Sequence, residues 1–191
     1  MPTIQPIAQL GHPVLRVPAN RVVVPAPEGI RTLVEDMLAT LRDANGVGIA
    51  APQVYESSSV FIVASRPNPR YPDAPTMEPE VMVNPEIVER SGDIVPGWEG
   101  CLSIPGFRGL VPRPMKIRVR YQTLDGATLD REFVDFVARV IQHEDDHLHG
   151  LVFLDRLGSA RDVVTEREYQ DRFASAPIPS RVDESDQARP L

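Results

Sequence analysis

One stretch, Gln142-His143-Glu144-Asp145-Asp146-His147-Leu148-His149-Gly150, holds three of the four histidines in this chain of 191 residues. Read as a helix, it places His143 and His147 on one face, with Cβ atoms about 5–6 Å apart. Both imidazoles can then reach one metal ion. Glu144 lines the same site, so the pattern predicts two nitrogen ligands and a carboxylate beside a metal-bound water.

The residues around this stretch also favour a helix. An apolar stripe precedes the histidines and consists of Phe136, Val137, Val140 and Ile141. Asp135 is a candidate N-cap, and Gly150 is a candidate C-terminal stop. On this helix Asp145 points nearly opposite His143 and is expected to be solvated, and His149 is also expected to face solvent.

Two histidines do not hold a metal alone, and Cys101 is the only cysteine. A lone cysteine is usually a small buried residue. The surrounding Gly97-Trp98-Glu99-Gly100-Cys101-Leu102-Ser103-Ile104-Pro105-Gly106 predicts a shaped loop instead, and no other soft ligand exists. A thiolate with two imidazoles leaves one coordination position open, as in catalytic sites, and suggests zinc. We expect either Glu99 or Asp146 to orient a ligand histidine.

Periodicity outlines the rest of the chain. Helices are expected at 28–44 and 163–173, and a proline-rich loop at 66–79. Extended segments are expected at 59–64, 81–83, 86–90, 115–121 and 128–134. We predict an α+β fold, with mixed or antiparallel sheets packed around a central metal-binding helix, an N-terminal helix and a C-terminal helix. Residues 1–175 are expected to form a single catalytic domain, and 176–191 a polar tail.

The composition of the chain indicates its cellular compartment and argues against some classes of binding partner. Apolar residues make up 42% of the chain and charged residues 25%, and no apolar run is long enough for a membrane span. The formal net charge of −7 and the lack of a basic stripe argue against direct binding of nucleic acid or anionic membranes. A single cysteine allows no intramolecular disulfide, which predicts a cytoplasmic protein.

Three motifs in order resemble the peptide deformylase family. They are Gly46-Val47-Gly48-Ile49-Ala50-Ala51-Pro52-Gln53, Glu99-Gly100-Cys101-Leu102-Ser103 and Gln142-His143-Glu144-Asp145-Asp146-His147. The resemblance runs from about residue 4 to about residue 155. It implies hydrolysis of the formyl group of formyl-methionyl nascent polypeptides, at the ribosome, by a monomer or a homodimer. It implies one divalent ion per chain on Cys101, His143 and His147, with Fe²⁺ in the cell and Zn²⁺, Ni²⁺ or Co²⁺ as replacements.

The resemblance also implies roles for other residues. Glu144 would be the general base, and the Gln53 amide and the Leu102 backbone N–H would stabilise the oxyanion. The peptide would bind as an added strand. The residues expected beside its backbone are Val47, Gly48 and Gly100. Those expected in the methionine pocket are Phe136 and Val140.

Two other functions compete with this one. A zincin-type metallopeptidase shares His-Glu-x-x-His, but Phe153 stands where one large group has its third histidine. A second group uses a downstream glutamate, and Glu166 and Glu168 lie in a charged helix with a solvated pattern. A metal-stabilised binding domain, or an inactive family member, is the second alternative. It is less favoured because the ligands, the base and Gln53 are all present.

Overall fold

The computed structural model describes residues 1–174, which contain three α-helices and eight β-strands. The helices are α1 (Glu28–Asp43), α2 (Asp135–Leu148) and α3 (Glu166–Arg172). The strands are β1 (Gly48–Ala50), β2 (Val60–Val63), β3 (Glu80–Arg90), β4 (Ile94–Cys101), β5 (Ile104–Pro114), β6 (Lys116–Gln122), β7 (Thr128–Val134) and β8 (Val163–Thr165). The tail predicted at 176–191 lies outside the described residues.

The strands make two antiparallel sheets, with the orders β1-β2-β3-β6-β7 and β4-β5-β8. Helix α2 contacts β1 and β2 of the first sheet and β5 of the second, so it lies between them. This confirms the predicted α+β fold with a central helix. β1 and β4 are both edge strands, which leaves one side of each without a strand partner. No helix within residues 1–174 is long and apolar enough to cross a membrane.

Alternating burial anchors the first sheet. On β6, Ile117, Val119 and Tyr121 face the core, and the basic residues between them face outward, as their spacing predicts. Helix α1 covers the other side of this sheet with its apolar stripe, and Met37 and Leu41 are fully buried there. Each such side chain stabilises the fold by about 1.5–3 kcal/mol. This packing makes a firm support for β1, the strand nearest α2.

Two predicted segments are wrong. The loop expected at 97–106 is strand as far as Cys101, and β5 starts at Ile104 after a tight turn. Position 97 of this strand has no room for a side chain, because the Arg139 guanidinium lies 2.6 Å from where a Cβ would stand. The pieces expected at 81–83 and 86–90 are one strand, β3. The chain passes through Asn84 at φ 49° with a register shift, so the Asn-Pro pair produces a bulge rather than a break.

The C-terminal helix is shorter than expected. Val163–Thr165 forms β8 on the edge of β5, and α3 begins only at Glu166. Val163, Val164 and Thr165 are β-branched, which favours a strand. The Thr165 side chain then caps α3 by accepting the Glu168 backbone N–H. Local side-chain chemistry therefore outweighs the helical spacing in this segment.

Candidate metal centre and peptide pocket

Cys101, His143 and His147 meet at one point between the sheets. Cys101 ends β4, and the two histidines lie one turn apart on α2. One donor atom from each residue lies within 4.8 Å of the other two, and Cys101 Sγ is 3.3 Å from His147 Nε2. All three residues are buried. A soft thiolate and two imidazoles in this arrangement fit a divalent transition metal.

The pKa shifts of Cys101 and His143 indicate that this cluster would favour a bound cation. Burial raises the pKa of Cys101, but His147 and His143 outweigh burial and hold it well below its ordinary value. Burial lowers the pKa of His143, yet Cys101 and Glu99 hold it well above its ordinary value. Buried negative charge is thus balanced by a proton on an imidazole. A divalent ion on the same atoms would replace that proton, which is how metal affinity couples to deprotonation of the ligands.

Glu99 orients His143. Its Oε2 accepts from His143 Nδ1 at 2.9 Å, which directs the other ring nitrogen toward the centre. Arg113 donates two hydrogen bonds to this carboxylate, each 2.9 Å long, and Arg139 donates a third. Burial raises the pKa of Glu99, but Arg113 and His143 outweigh it and hold the pKa well below its usual range. The carboxylate therefore stays charged and fixes the ring.

Asp146, the other candidate for this role, contacts arginines instead. It accepts from Arg113 Nη1 at 2.7 Å and from Arg156 Nε at 3.0 Å. An unbroken buried chain of charged groups thus runs from His143 through Glu99, Arg113 and Asp146. His147 Nδ1 has no hydrogen-bond partner among residues 1–174. Only one of the two histidines is therefore oriented by a carboxylate.

Glu144 is buried beside the three donors, and its Oε2 has no hydrogen-bond partner within the described chain. Burial raises its pKa to about 7, although His143 and His147 lower it in part. A carboxylate with a pKa near 7 can exchange a proton at neutral pH. A Cβ on Gly48 would overlap Glu144 Oε1 and stand 2.8 Å from Val140 Cγ1. The glycine in the first motif therefore makes room for the carboxylate.

Gln53 presents its donor end to the centre. It lies in a 3-10 helix, Ala51–Val54, and its Oε1 accepts the Ala50 backbone N–H at 2.9 Å. This bond fixes the amide so that Nε2 lies 3.5 Å from Cys101 Sγ and 3.2 Å from Ser103 Oγ. Leu102 follows Cys101 and lines the adjoining pocket. Both residues predicted as oxyanion donors thus lie next to the three clustered side chains.

A pocket opens beside the cluster. Its lining includes all five predicted peptide-contacting residues, which are Val47, Gly48, Gly100, Phe136 and Val140. It also includes Arg70, Tyr71 and Trp98, to which the sequence motifs assign no role. Spacing along the chain could not reveal Tyr71, because it belongs to the proline-rich loop and reaches the pocket only through folding. The aromatic Trp98 beside the second motif was the one available signal.

Two expectations for α2 are wrong. Asp145 is buried, not solvated, because sheets cover both sides of the helix. Burial raises its pKa to about 6, with His149 lowering it in part. Asp135 is not the N-cap, because it begins the helix at φ 52° and no side-chain cap bond is found at Val134. His149 is exposed, as expected.

Comparison with known proteins identifies the family. The family model described as polypeptide deformylase matches residues 4–162. Peptide deformylase 2 of a Nostoc species is 54% identical over 170 residues, covering 89% of this chain and 95% of the relative. Peptide deformylase 2 of Shewanella oneidensis is 50% identical over 151 residues, covering 79% and 83%.

Solved structures agree. The Met-Ala-Ser-bound class I type b peptide deformylase from Acinetobacter baumannii superposes with a TM-score of 0.80 at 48% identity, covering 82% of this chain and all of that one. The Thermotoga maritima peptide deformylase superposes with a TM-score of 0.73 at 34% identity, covering 82% and 99%. The motifs, the fold and these relatives lead to one conclusion. The chain belongs to the peptide deformylase family of metal-dependent hydrolases, which remove N-terminal formyl groups from nascent peptides.

Proposed function

We propose that this protein releases formate from formyl-methionyl polypeptides with Glu144 as the general base, at a centre formed by Cys101, His143 and His147. The observation that carries this assignment is the position of Glu144. Its carboxylate is buried, lacks a hydrogen-bond partner at one oxygen among the described residues, and borders both the ligand cluster and the pocket. A buried carboxylate with an unbonded oxygen beside the pocket can accept a proton from a bound water.

Cys101, His143 and His147 would hold one divalent ion. We propose Fe²⁺ in the cell, with Zn²⁺, Ni²⁺ or Co²⁺ as possible replacements, since the three donors accept any of these ions. When bound, such an ion supplies Lewis-acid chemistry and lowers the pKa of a water from about 15.7 to about 7. The remaining requirements are proton transfer, oxyanion stabilisation and substrate positioning. Side chains and backbone groups of the chain meet each of these.

Glu144 would take the proton of the attacking water and later deliver one to the leaving amine. A pKa of about 7 suits both directions of transfer. As the formyl carbon becomes tetrahedral, its oxygen gains negative charge and needs donors already in place. Gln53 Nε2 would supply one donor, because Oε1 is held by the Ala50 backbone N–H. The backbone N–H of Leu102 would supply another.

The peptide would bind between two sheet edges. β1 and β4 both border the pocket with their unpaired sides, so an extended peptide can add to either by main-chain hydrogen bonds. Gly48 and Gly100 would let its backbone come close. Phe136 and Val140 would receive the methionine side chain. The homologue from Acinetobacter baumannii is described with Met-Ala-Ser bound, which supports a peptide at this site.

We further propose a setting for the reaction. Nascent chains carry the formyl group, which favours action near the ribosome in the cytoplasm, by a monomer or a homodimer. We also propose that residues 1–175 form one catalytic domain, with 176–191 as an appended tail. The net charge of −7 argues against direct binding to nucleic acid.

A zincin-type peptidase is not favoured. Phe153, at the position of a zincin's third histidine, is buried in an apolar cluster and stacks on His143 with ring centroids 6.2 Å apart. The downstream acids are engaged elsewhere. Glu166 accepts from Arg108 at 2.7 Å, and Glu168 pairs with Arg172 at 2.9 Å. Neither carboxylate belongs to the Cys101–His143–His147 cluster, which supports the Cys101 thiolate as the proposed third donor.

Substrate choice tests this proposal. The protein, loaded anaerobically with Fe²⁺, is given formyl-Met-Ala-Ser, acetyl-Met-Ala-Ser and a longer unformylated peptide. We expect formate from the first substrate alone, measured by a coupled formate assay, and no internal cleavage by mass spectrometry. Cleavage of internal bonds without formate release would establish the peptidase alternative. Metal binding without turnover of any substrate would establish a binding domain.

A further inference from the structure

Tyr71 connects the proline-rich loop at 66–79 to the pocket, and the proposed reaction gives this residue no role. Its hydroxyl accepts the Gly100 backbone N–H at 3.2 Å. Its ring lies 5.2 Å from the ring of Phe136, centroid to centroid. Both Gly100 and Phe136 line the pocket. Tyr71 therefore touches the two parts of the site that would receive a peptide, the backbone edge and the side-chain pocket.

The Tyr71 hydroxyl accepts the Gly100 N–H, a backbone donor that an added peptide strand would otherwise use. β4 pairs with β5 on one side through Glu99 opposite Gly109 and Cys101 opposite Ile104. Gly100 lies at the register shift between these two pairs and has no partner on β5, so its N–H faces the unpaired side of β4, where the Tyr71 hydroxyl lies. A peptide carbonyl on that side would be its natural partner. In the peptide-free protein the Tyr71 hydroxyl accepts this bond.

Contacts from the second sheet and α3 hold Tyr71 in place. Arg108 is fully buried, and its guanidinium carbon lies 4.9 Å from the Tyr71 ring centre and 4.8 Å from that of Tyr169. The same guanidinium donates to both carboxylate oxygens of Glu166, at 2.7 and 3.1 Å. A charged group clamped between two aromatic faces and a carboxylate has few alternative positions. Arg108 therefore supports the tyrosine ring as part of the pocket wall.

We propose that Tyr71 is a specificity-determining residue of the peptide site. Its ring forms the wall beside Phe136, and its hydroxyl holds the Gly100 N–H until a peptide carbonyl replaces it. This inference rests on the proposed deformylase function. Displacement of the hydroxyl needs a peptide carbonyl beyond the methionine residue, which formyl-methionine lacks. Tyr71 would therefore set the advantage of formylated peptides over formyl-methionine alone.

Steady-state kinetics of Tyr71→Phe test the hydroxyl. For formyl-Met-Ala-Ser we expect KM to fall about two- to tenfold, the range that one net hydrogen bond represents. We expect kcat to stay unchanged, and KM for formyl-methionine also. Tyr71→Ala removes the wall as well, and should raise KM for formyl-methionine at least about tenfold. Tyr55→Phe is the matched control, because Tyr55 is exposed and outside the pocket lining.

Hydrogen exchange gives a readout that does not depend on turnover. The Gly100 amide should exchange faster in Tyr71→Phe than in the parent protein, and added Met-Ala-Ser should restore its protection. An unchanged exchange rate would overturn the inference, and so would a KM for formyl-Met-Ala-Ser within twofold of the parent value. Equal KM shifts for both substrates would also overturn it. If the parent protein released no formate, the proposed function would fail, and Gly100 exchange would still report on Tyr71.

Discussion

The Glu144 carboxylate fills the space that a side chain at position 48 would need. The Glu144 carboxylate lies where a Cβ on residue 48 would stand, and Val140 closes the other side. The first motif is therefore small at this position because the proposed base comes from a different element, α2. Sequence alone indicated close backbone approach at Gly48, but it attributed the need to the peptide. The structure adds a second reason, the proton acceptor itself.

Gly48→Ala should therefore abolish most formate release. The added methyl group must push the Glu144 carboxylate aside, and overpacking of this kind also costs about 1–3 kcal/mol of stability. Gly29→Ala in α1 is the matched control, because a Cβ there meets nothing within 4 Å. It should keep full activity and gain up to about 1 kcal/mol of stability. Formate release and thermal unfolding of both variants check this. Equal activity in the two variants would contradict the packing argument.

Gln53→Ala should lower kcat by about 10²–10³-fold, the usual loss for one oxyanion donor. The metal content should not change, because Gln53 touches Cys101 but is not among the clustered ligands. Gln170→Ala, at an exposed position on α3, is the matched control. Single-turnover rates at equal metal content make the measurement. A Gln53→Ala rate within threefold of the control would remove this residue from the reaction.

At the scale of elements, α2 is held between the sheets by charge as well as by apolar packing. Arg113 of β5 binds Glu99 of β4 and Asp146 of α2, and all three side chains are buried. Sequence placed both acids next to ligands but could not choose between them. The choice depends on the direction in which β4 presents Glu99, and that follows from its pairing with β5. Asp145 was misplaced for a similar reason, since a helical wheel does not show a second covering sheet.

Arg113→Ala should destabilise the protein by about 3–5 kcal/mol, because it removes the arginine that two buried carboxylates share and leaves Glu99 with Arg139 alone and Asp146 with Arg156 alone. Metal affinity should also fall by about 10–100-fold, since Glu99 would no longer hold His143 firmly. Arg118→Ala on the exposed face of β6 is the matched control, where a surface pair contributes at most about 1 kcal/mol. Denaturant unfolding and metal titration check both effects. Similar losses in the two variants would contradict the proposed role of the buried network.

At the scale of the whole molecule, the proposed metal ligands come from both layers. Cys101 belongs to the small sheet, and the histidines belong to the helix that packs on the large one. The helix and its ligand spacing follow from sequence periodicity. The assignment of Cys101 as the third ligand follows from its being the only cysteine, and the family resemblance follows from the order of the three motifs. Tyr71 did not follow from either, because the proline-rich loop reaches the pocket only after β2 and β3 pair.

A bound metal should therefore stabilise the whole fold. At an ion concentration 100 times its dissociation constant, linkage adds about 2.7 kcal/mol. Treatment with a chelator should lower Tm and abolish formate release, and added Fe²⁺ should restore both. Cys101→Ala is the control, because without the thiolate its Tm should not respond to chelator. Metal analysis showing full occupancy in Cys101→Ala would show that the cysteine is not a ligand.

The most direct test of the proposed chemistry is formate release from formyl-Met-Ala-Ser by Glu144→Gln at a metal content matched to the parent protein. The substitution keeps the size of the side chain and removes its ability to accept a proton. We predict a rate about 10²–10⁴-fold below that of the parent, with metal content unchanged. A fully metallated Glu144→Gln protein that releases formate at the parental rate would contradict the assignment of Glu144 as the base.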